Sequence, residues 1–210
     1  MKLISATPSP YARKVRIALA EKAIPFELVT EVPWNGDTSL PLHNPLEKLP
    51  VLLLDDGGSV YESSHILEWL ERKHPHPPLL PDDDDGILEA KRCLVLGDGV
   101  CDAFLLVFFE RQRPAAHRSA PWIARQMRKI DGGLAEMART VADRAFAVSG
   151  RFGLGDIGLG AALGYLDVRF PELDWRARHP ALGCYFAALS ERPSFRDTVP
   201  YPQTIRDAVV

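Results

Sequence analysis

Apolar positions in the first seventy residues change period several times, and each change marks an element. Leu3-Ile4-Ser5-Ala6 is a short apolar run stopped by Thr7-Pro8-Ser9-Pro10, and it predicts a buried strand. From Arg13 to Lys22, Val15, Ala18 and Leu19 share one helical face, with Arg13, Lys14, Arg16 and Glu21 largely outside it. Ile24 to Val29 predicts a second strand. Pro50 then precedes Val51-Leu52-Leu53-Leu54, a place where a strand tolerates a missing backbone donor. Asp55-Asp56-Gly57-Gly58 predicts a hairpin turn and Ser59-Val60-Tyr61 the returning strand. Ile66, Leu67 and Leu70 recur among Glu68, Glu71 and Arg72, so an amphipathic helix follows with Ser63 as its cap.

Beyond Leu70 the strand period disappears. His74 to Pro81, HPHPPLLP, is proline-dense and runs into four aspartates, Asp82 to Asp85. This divides the chain into a first domain over 1–77, a linker over 78–85 and a helical domain over 86–210. In the last, the pattern predicts helices over Ile87–Glu110 and Pro121–Ala142, one from Asp156-Ile157 through Tyr165 and Leu166, and one over His179–Arg192. The order strand, helix, strand, then strand, strand, helix predicts an α/β thioredoxin-like N-terminal domain followed by an all-α C-terminal domain.

Composition narrows the partners. A net charge of −3, with Lys and Arg scattered, excludes the basic stripe that nucleic acid requires. The opening MKLISATPSP has too short an apolar run for a secretory signal or membrane span, so a cytoplasmic protein without membrane attachment is expected. Cys93, Cys101 and Cys184 are too few for a disulfide framework and are expected as buried reduced thiols. His74 and His76 lack a third ligand, and the aspartates lack calcium-loop spacing and suit a helix N-terminus; no metal is predicted.

The chemistry concentrates at two helix starts. Redox proteins of the thioredoxin-like fold carry Cys-x-x-Cys at the first helix, because a helix N-terminus stabilises a thiolate. Here that place reads Ser9-Pro10-Tyr11-Ala12, which excludes dithiol exchange and leaves the helix end free for another molecule's thiolate. Glu62-Ser63, a polar pair where a strand meets a helix N-terminus, suits a ligand carboxylate.

SPYARKVRIAL together with Asn44, Pro45, Lys48, Leu49, Pro50, Glu62 and Ser63 resembles the serine-type glutathione S-transferases. Asp98-Gly99-Val100-Cys101-Asp102-Ala103, Glu110, Arg113-Pro114, Trp122, Gln126 and Lys129-Ile130 resemble a bacterial branch of them, and Asp156 matches the family's helix-capping aspartate. Two positions depart: Glu47 stands where the family has glycine, and Gly153 where it has Ser or Thr.

The resemblance implies glutathione as co-substrate, with Ser9 as the catalytic hydroxyl that holds its thiolate. It assigns Leu49 and Pro50 to the peptide middle, and Glu62 and Ser63 to the γ-glutamyl end. A small electrophile is the implied second partner, in conjugation or in peroxidase or isomerase chemistry at the same thiolate. The candidates for its pocket are Pro10, Tyr11, Phe104, Phe108 and Arg111; for the last three, core packing or a surface place is the competing reading. The resemblance further implies a homodimer. The alternative is a transferase-like binding or regulatory module without turnover.

Overall fold

The computed structural model describes residues 1–209. Strand β1 (Lys2–Ser5) lies inside a four-stranded sheet of order β2-β1-β3-β4, parallel to β2 (Glu27–Thr30) and antiparallel to β3 (Val51–Leu53), which pairs antiparallel with β4 (Ser59–Tyr61). The second strand begins three residues later than its apolar run because Ile24 closes the end of the first helix and Pro25 has no amide to give. As an edge strand it is mostly exposed.

Helix α1 (Pro10–Glu21) starts with Ser9 as N-cap, its Oγ accepting from the Ala12 amide at 3.2 Å. Pro10 occupies the first turn, where its missing N–H is no loss. Helix α2 (Ser63–Lys73) differs from expectation at its start: Glu62, not Ser63, is the N-cap. The Glu62 carboxylate accepts from the Ser64 and His65 amides and from Ser63 Oγ, at 3.0–3.2 Å. That arrangement comes with Glu62 at φ 69°, a backbone shape unusual for a residue with a side chain.

The helical half comprises α3 (Asp84–Gln112), α4 (Ala120–Val141), α5 (Leu154–Arg169), α6 (Trp175–Arg178), α7 (Pro180–Ser190) and α8 (Pro193–Arg196). The aspartate run is a helix start: Asp83 caps α3 by accepting from Gly86 N at 2.7 Å, and Asp84 and Asp85 fill the first turn. The short helices α6 and α8 were not legible in the pattern, and Cys184 is exposed rather than buried. Among the described residues, no helix is long and apolar enough to cross a membrane.

Helix α5 is buried from Leu154 to Leu166 and forms the centre of this half. It crosses α3 at Gly97 and Gly158, where a Cβ on Gly97 would stand 2.6 Å from the Gly158 carbonyl oxygen. Gly153, the departure at the α5 cap, has the same cause: a Cβ there would lie 2.5 Å from the carbonyl oxygen of Leu79 in the linker. The capping falls to Asp156, which accepts from Gly153 N at 2.9 Å, Ala147 N at 2.8 Å and Tyr185 Oη at 2.6 Å. Burial pushes the Asp156 carboxyl up, and these hydrogen bonds oppose it.

Helix α1 joins the two halves. Buried Arg13 donates to the Phe195 carbonyl at 3.3 Å and stacks on that ring, and Glu21 pairs with Arg192 at 2.7 Å. Buried Lys22 pairs with Glu71 at 2.7 Å and donates to the carbonyls of His74 and Pro77, which docks the linker. Contacts from Arg13 near the start of α1 to Lys22 at its end thereby fix the helix against the helical half and the linker.

Candidate functional site

The starts of α1 and α2 and the loop before β3 open onto one cavity of about 370 Å³, lined also by α3, α5, the loop after β2 and the C-terminal segment. Ser9, Leu49, Pro50, Glu62 and Ser63 all line it, as do Pro10 and Tyr11. The loop that carries Leu49 is built by Asn44, whose buried side chain accepts from Leu46 N at 2.9 Å and donates to the Lys48 carbonyl at 2.7 Å. Within it Glu47 has φ 53°, the left-handed shape that glycine adopts freely, so the departure from the family's glycine leaves the loop's path intact at a cost in strain. The Leu49–Pro50 bond is cis.

Two hydroxyls face the cavity at α1, and they differ in what their protons do. Tyr11 Oη donates to Asp102, and its pKa is held far above the phenol range by burial first, then by nearby Cys101 and Asp102. Ser9 Oγ accepts from Ala12 N, and among the described residues no protein atom takes its proton. Ser9 is therefore the hydroxyl with a donor to offer.

Beside Glu62 and Ser63 lies an ion pair that sequence reasoning missed. Lys14 Nζ donates to both carboxylate oxygens of Asp98, at 2.5 and 2.7 Å, and Ser64 Oγ reaches the same carboxylate at 3.4 Å. Burial raises the Asp98 carboxyl above its ordinary range; Lys14 opposes this, and Glu62 and Asp102 add to it. Asp98, Asp102 and Leu105 all line the cavity from α3, at the i, i+4, i+7 spacing of one helical face, a readable signal.

The remaining wall is Tyr11, Trp34, Leu105, Tyr165, Arg169 and Ile205. Trp34 is braced edge-on against Phe109, with ring centroids 4.5 Å apart. The segment bearing Gln203 and Ile205 is tied down by Thr7 N donating to Gln203 Oε1 at 3.2 Å and Arg206 N to Asn35 Oδ1 at 2.9 Å. Three pocket candidates lie elsewhere. Phe104 is fully buried against Phe170, Arg111 pairs with Glu172 at 2.6 Å, and Phe108 sits beneath the Arg169 guanidinium, whose central carbon is 4.3 Å from its ring centroid. Among the described residues no group of His, Cys, Asp or Glu is arranged to hold a metal.

Residues 8–73 match the family model for the glutathione S-transferase N-terminal domain, and residues 120–188 that for its C-terminal domain. The Escherichia coli K12 protein YibF, described as an uncharacterized GST-like protein, is 34% identical over 200 residues, 95% of this chain and 98% of its own. A glutathione S-transferase from Methylobacterium radiotolerans, solved in complex with glutathione sulfonate, is 70% identical, with a TM-score of 0.98 over 100% of this chain and 99% of that one. Another from Methylobacillus flagellatus, solved with GSH bound, is 39% identical, with a TM-score of 0.91 over 95% of this chain and 98% of that one.

Proposed function

This chain belongs to the glutathione S-transferase family, and we propose that it is an active transferase that joins the glutathione thiolate to small electrophiles. The observation that carries this reading is the uncommitted Ser9 proton at the start of α1, in one cavity with Glu62, Ser63 and Leu49. A relative from Methylobacterium radiotolerans solved with glutathione sulfonate supports glutathione as the ligand.

In this reading the γ-glutamyl ammonium lies toward Glu62 and Asp98, and its carboxylate takes the main-chain amide of Ser63 at the α2 N-terminus. The Leu49 main chain meets the peptide middle, which brings the sulfur to Ser9. The Ser9 O–H donates to the thiolate, while its oxygen, already accepting from Ala12 N, keeps the hydroxyl oriented. A hydrogen bond to a charged group contributes about 1.5–3 kcal/mol and the helix N-terminus about 0.3–1. At about 1.4 kcal/mol per unit this lowers the thiol pKa by roughly one to three units from about 8.5, so the nucleophile is present at neutral pH. The electrophile then sits against Tyr11, Trp34, Leu105 and Tyr165.

The same reading makes the protein a cytoplasmic homodimer. Leu88 and Val95, 65% and 72% exposed at i, i+7 on the outer face of α3, supply apolar surface for a second copy. Conjugation rates with aryl halides, epoxides and peroxides, measured beside the ultraviolet absorbance of bound thiolate, test the reading. Thiolate formation with turnover of at least one class is expected; glutathione binding without turnover across the panel would point to a binding module.

A further inference from the structure

Arg169 ends α5 and lines the cavity on its acceptor side. Its Nε is buried without a hydrogen-bond partner, and it enters no ion pair among the described residues. The acids around it are engaged elsewhere: Asp167 holds Arg176 at 2.7 Å, Glu172 holds Arg111 at 2.6 Å, Asp98 holds Lys14 and Asp102 accepts from Tyr11. The guanidinium is not loose, because one of its faces lies on the Phe108 ring at 4.3 Å. A guanidinium held on an aromatic platform, stripped of part of its water and facing a cavity, is a fork that matches a carboxylate in two parallel hydrogen bonds.

Tyr165 stands one turn earlier on α5, buried and lining the same cavity. Burial pushes its hydroxyl up to about 12, with Arg169 pulling the other way, so it remains a phenol with a proton to donate. The other basic side chain at the cavity, Lys48, belongs to the Leu49 loop at the glutathione end. Glu62 carries its carboxylate at that end too, whereas the Asp98 charge is met by Lys14. Of the other acids lining the cavity, Glu47 belongs to the Leu49 loop and Asp102 accepts from the Tyr11 hydroxyl, so among the described residues the cation left for an anionic acceptor away from that loop is Arg169.

We propose that the electrophiles this site takes carry a carboxylate, and that Arg169, with Tyr165 beside it, binds that carboxylate and sets the acceptor's orientation toward the sulfur. The proposal rests on the glutathione reading given above. An aryl halide such as 4-chloro-3-nitrobenzoate illustrates the step: the thiolate sulfur bonds to the ring carbon bearing chlorine, the carbon–chlorine bond breaks, and chloride departs with the electron pair.

The test is calorimetric titration with glutathione and with two conjugates of equal shape, S-(2-carboxyethyl)glutathione and its neutral amide. Wild-type protein is expected to bind the carboxylate conjugate about ten- to a hundred-fold more tightly than the amide, the usual worth of a charge-assisted hydrogen bond. In Arg169→Met that ratio should fall to about one. Equal affinities in wild type would overturn the proposal whether or not the variant folds, and so would a preference that persists in a folded Arg169→Met. Failure of glutathione itself to bind would instead overturn the reading beneath it, and this proposal with it.

Discussion

Lys14 on α1 and Asp98 on α3 form a two-pronged ion pair that crosses from one half of the molecule to the other at the wall of the cavity. Lys14 is 1% exposed, so its ammonium has no water to fall back on. Asp98→Asn is expected to cost about 3–5 kcal/mol, because it leaves a buried charge without its counterion, whereas Lys14→Met with Asp98→Leu should recover much of that loss. Urea unfolding of the three proteins checks it.

The same carboxylate predicts a pH dependence. The folded-state pKa of Asp98 is raised, by burial first, so in the window from the ordinary Asp value upward the folded protein holds a proton that the unfolded chain has released. Its contribution to stability is present below that window and lost as pH rises through the raised value. Stability-versus-pH curves of wild type and Asp98→Asn should differ in slope there, and parallel curves would count against the assignment.

Glu62 serves two tasks that substitutions can separate. Its carboxylate caps α2 by accepting from Ser64 N and His65 N, and the same group faces the cavity. Glu62→Ala is expected to lose about 0.5–2 kcal/mol of stability with the cap, together with glutathione affinity. Glu62→Gln keeps an oxygen for the helix amides and gives up the charge, so it should stay near wild type in melting while binding glutathione about ten-fold or more weakly. Equal affinities in wild type and Glu62→Gln would remove the ammonium contact.

What the sequence made legible is what local rules decide. Ser9, Glu62 and Ser63 stand at helix starts after short strands, and strand length and capping chemistry place them. The cap of α2 stands one residue before the serine that capping preference predicts, since nothing in Glu-Ser-Ser announces a positive φ at Glu62. The acceptor wall depends on long-range packing. Leu105 faces the cavity and Phe104 the core because of how α3 is rotated against α5, and the Gly97–Gly158 crossing takes part in setting that rotation. Trp34 and Ile205 reach the site from segments far apart in the chain, with no periodicity to mark them.

Glu47 tests the cost of a departure from the family. At φ 53° a side chain costs about 1–2 kcal/mol, and glycine gives back about 0.5–1 through its greater freedom when unfolded. Glu47→Gly should therefore raise stability by up to about 1 kcal/mol, while Glu47→Ala, which keeps a Cβ, should not. Thermal melts of the two variants against wild type decide the matter.

Ser9→Ala separates thiolate stabilisation from simple binding. The substitution removes the acceptor for Ala12 N, at a cost of about 1 kcal/mol in stability, and with it the only hydroxyl at this helix start whose proton is uncommitted. Glutathione affinity should change little, because the γ-glutamyl and peptide contacts remain. The pKa of the bound thiol should rise by about one to two units. Turnover then falls about ten- to a hundred-fold near neutral pH, and the deficit narrows as pH climbs through the variant's thiol pKa. Tyr11→Phe is the control: its proton already goes to Asp102, so its loss should leave the bound thiol's titration nearly where it was. Ultraviolet titration of bound glutathione in the three proteins reads this directly. Superimposable curves for wild type and Ser9→Ala, with a displaced curve for Tyr11→Phe, would transfer the activating role from the serine to the tyrosine.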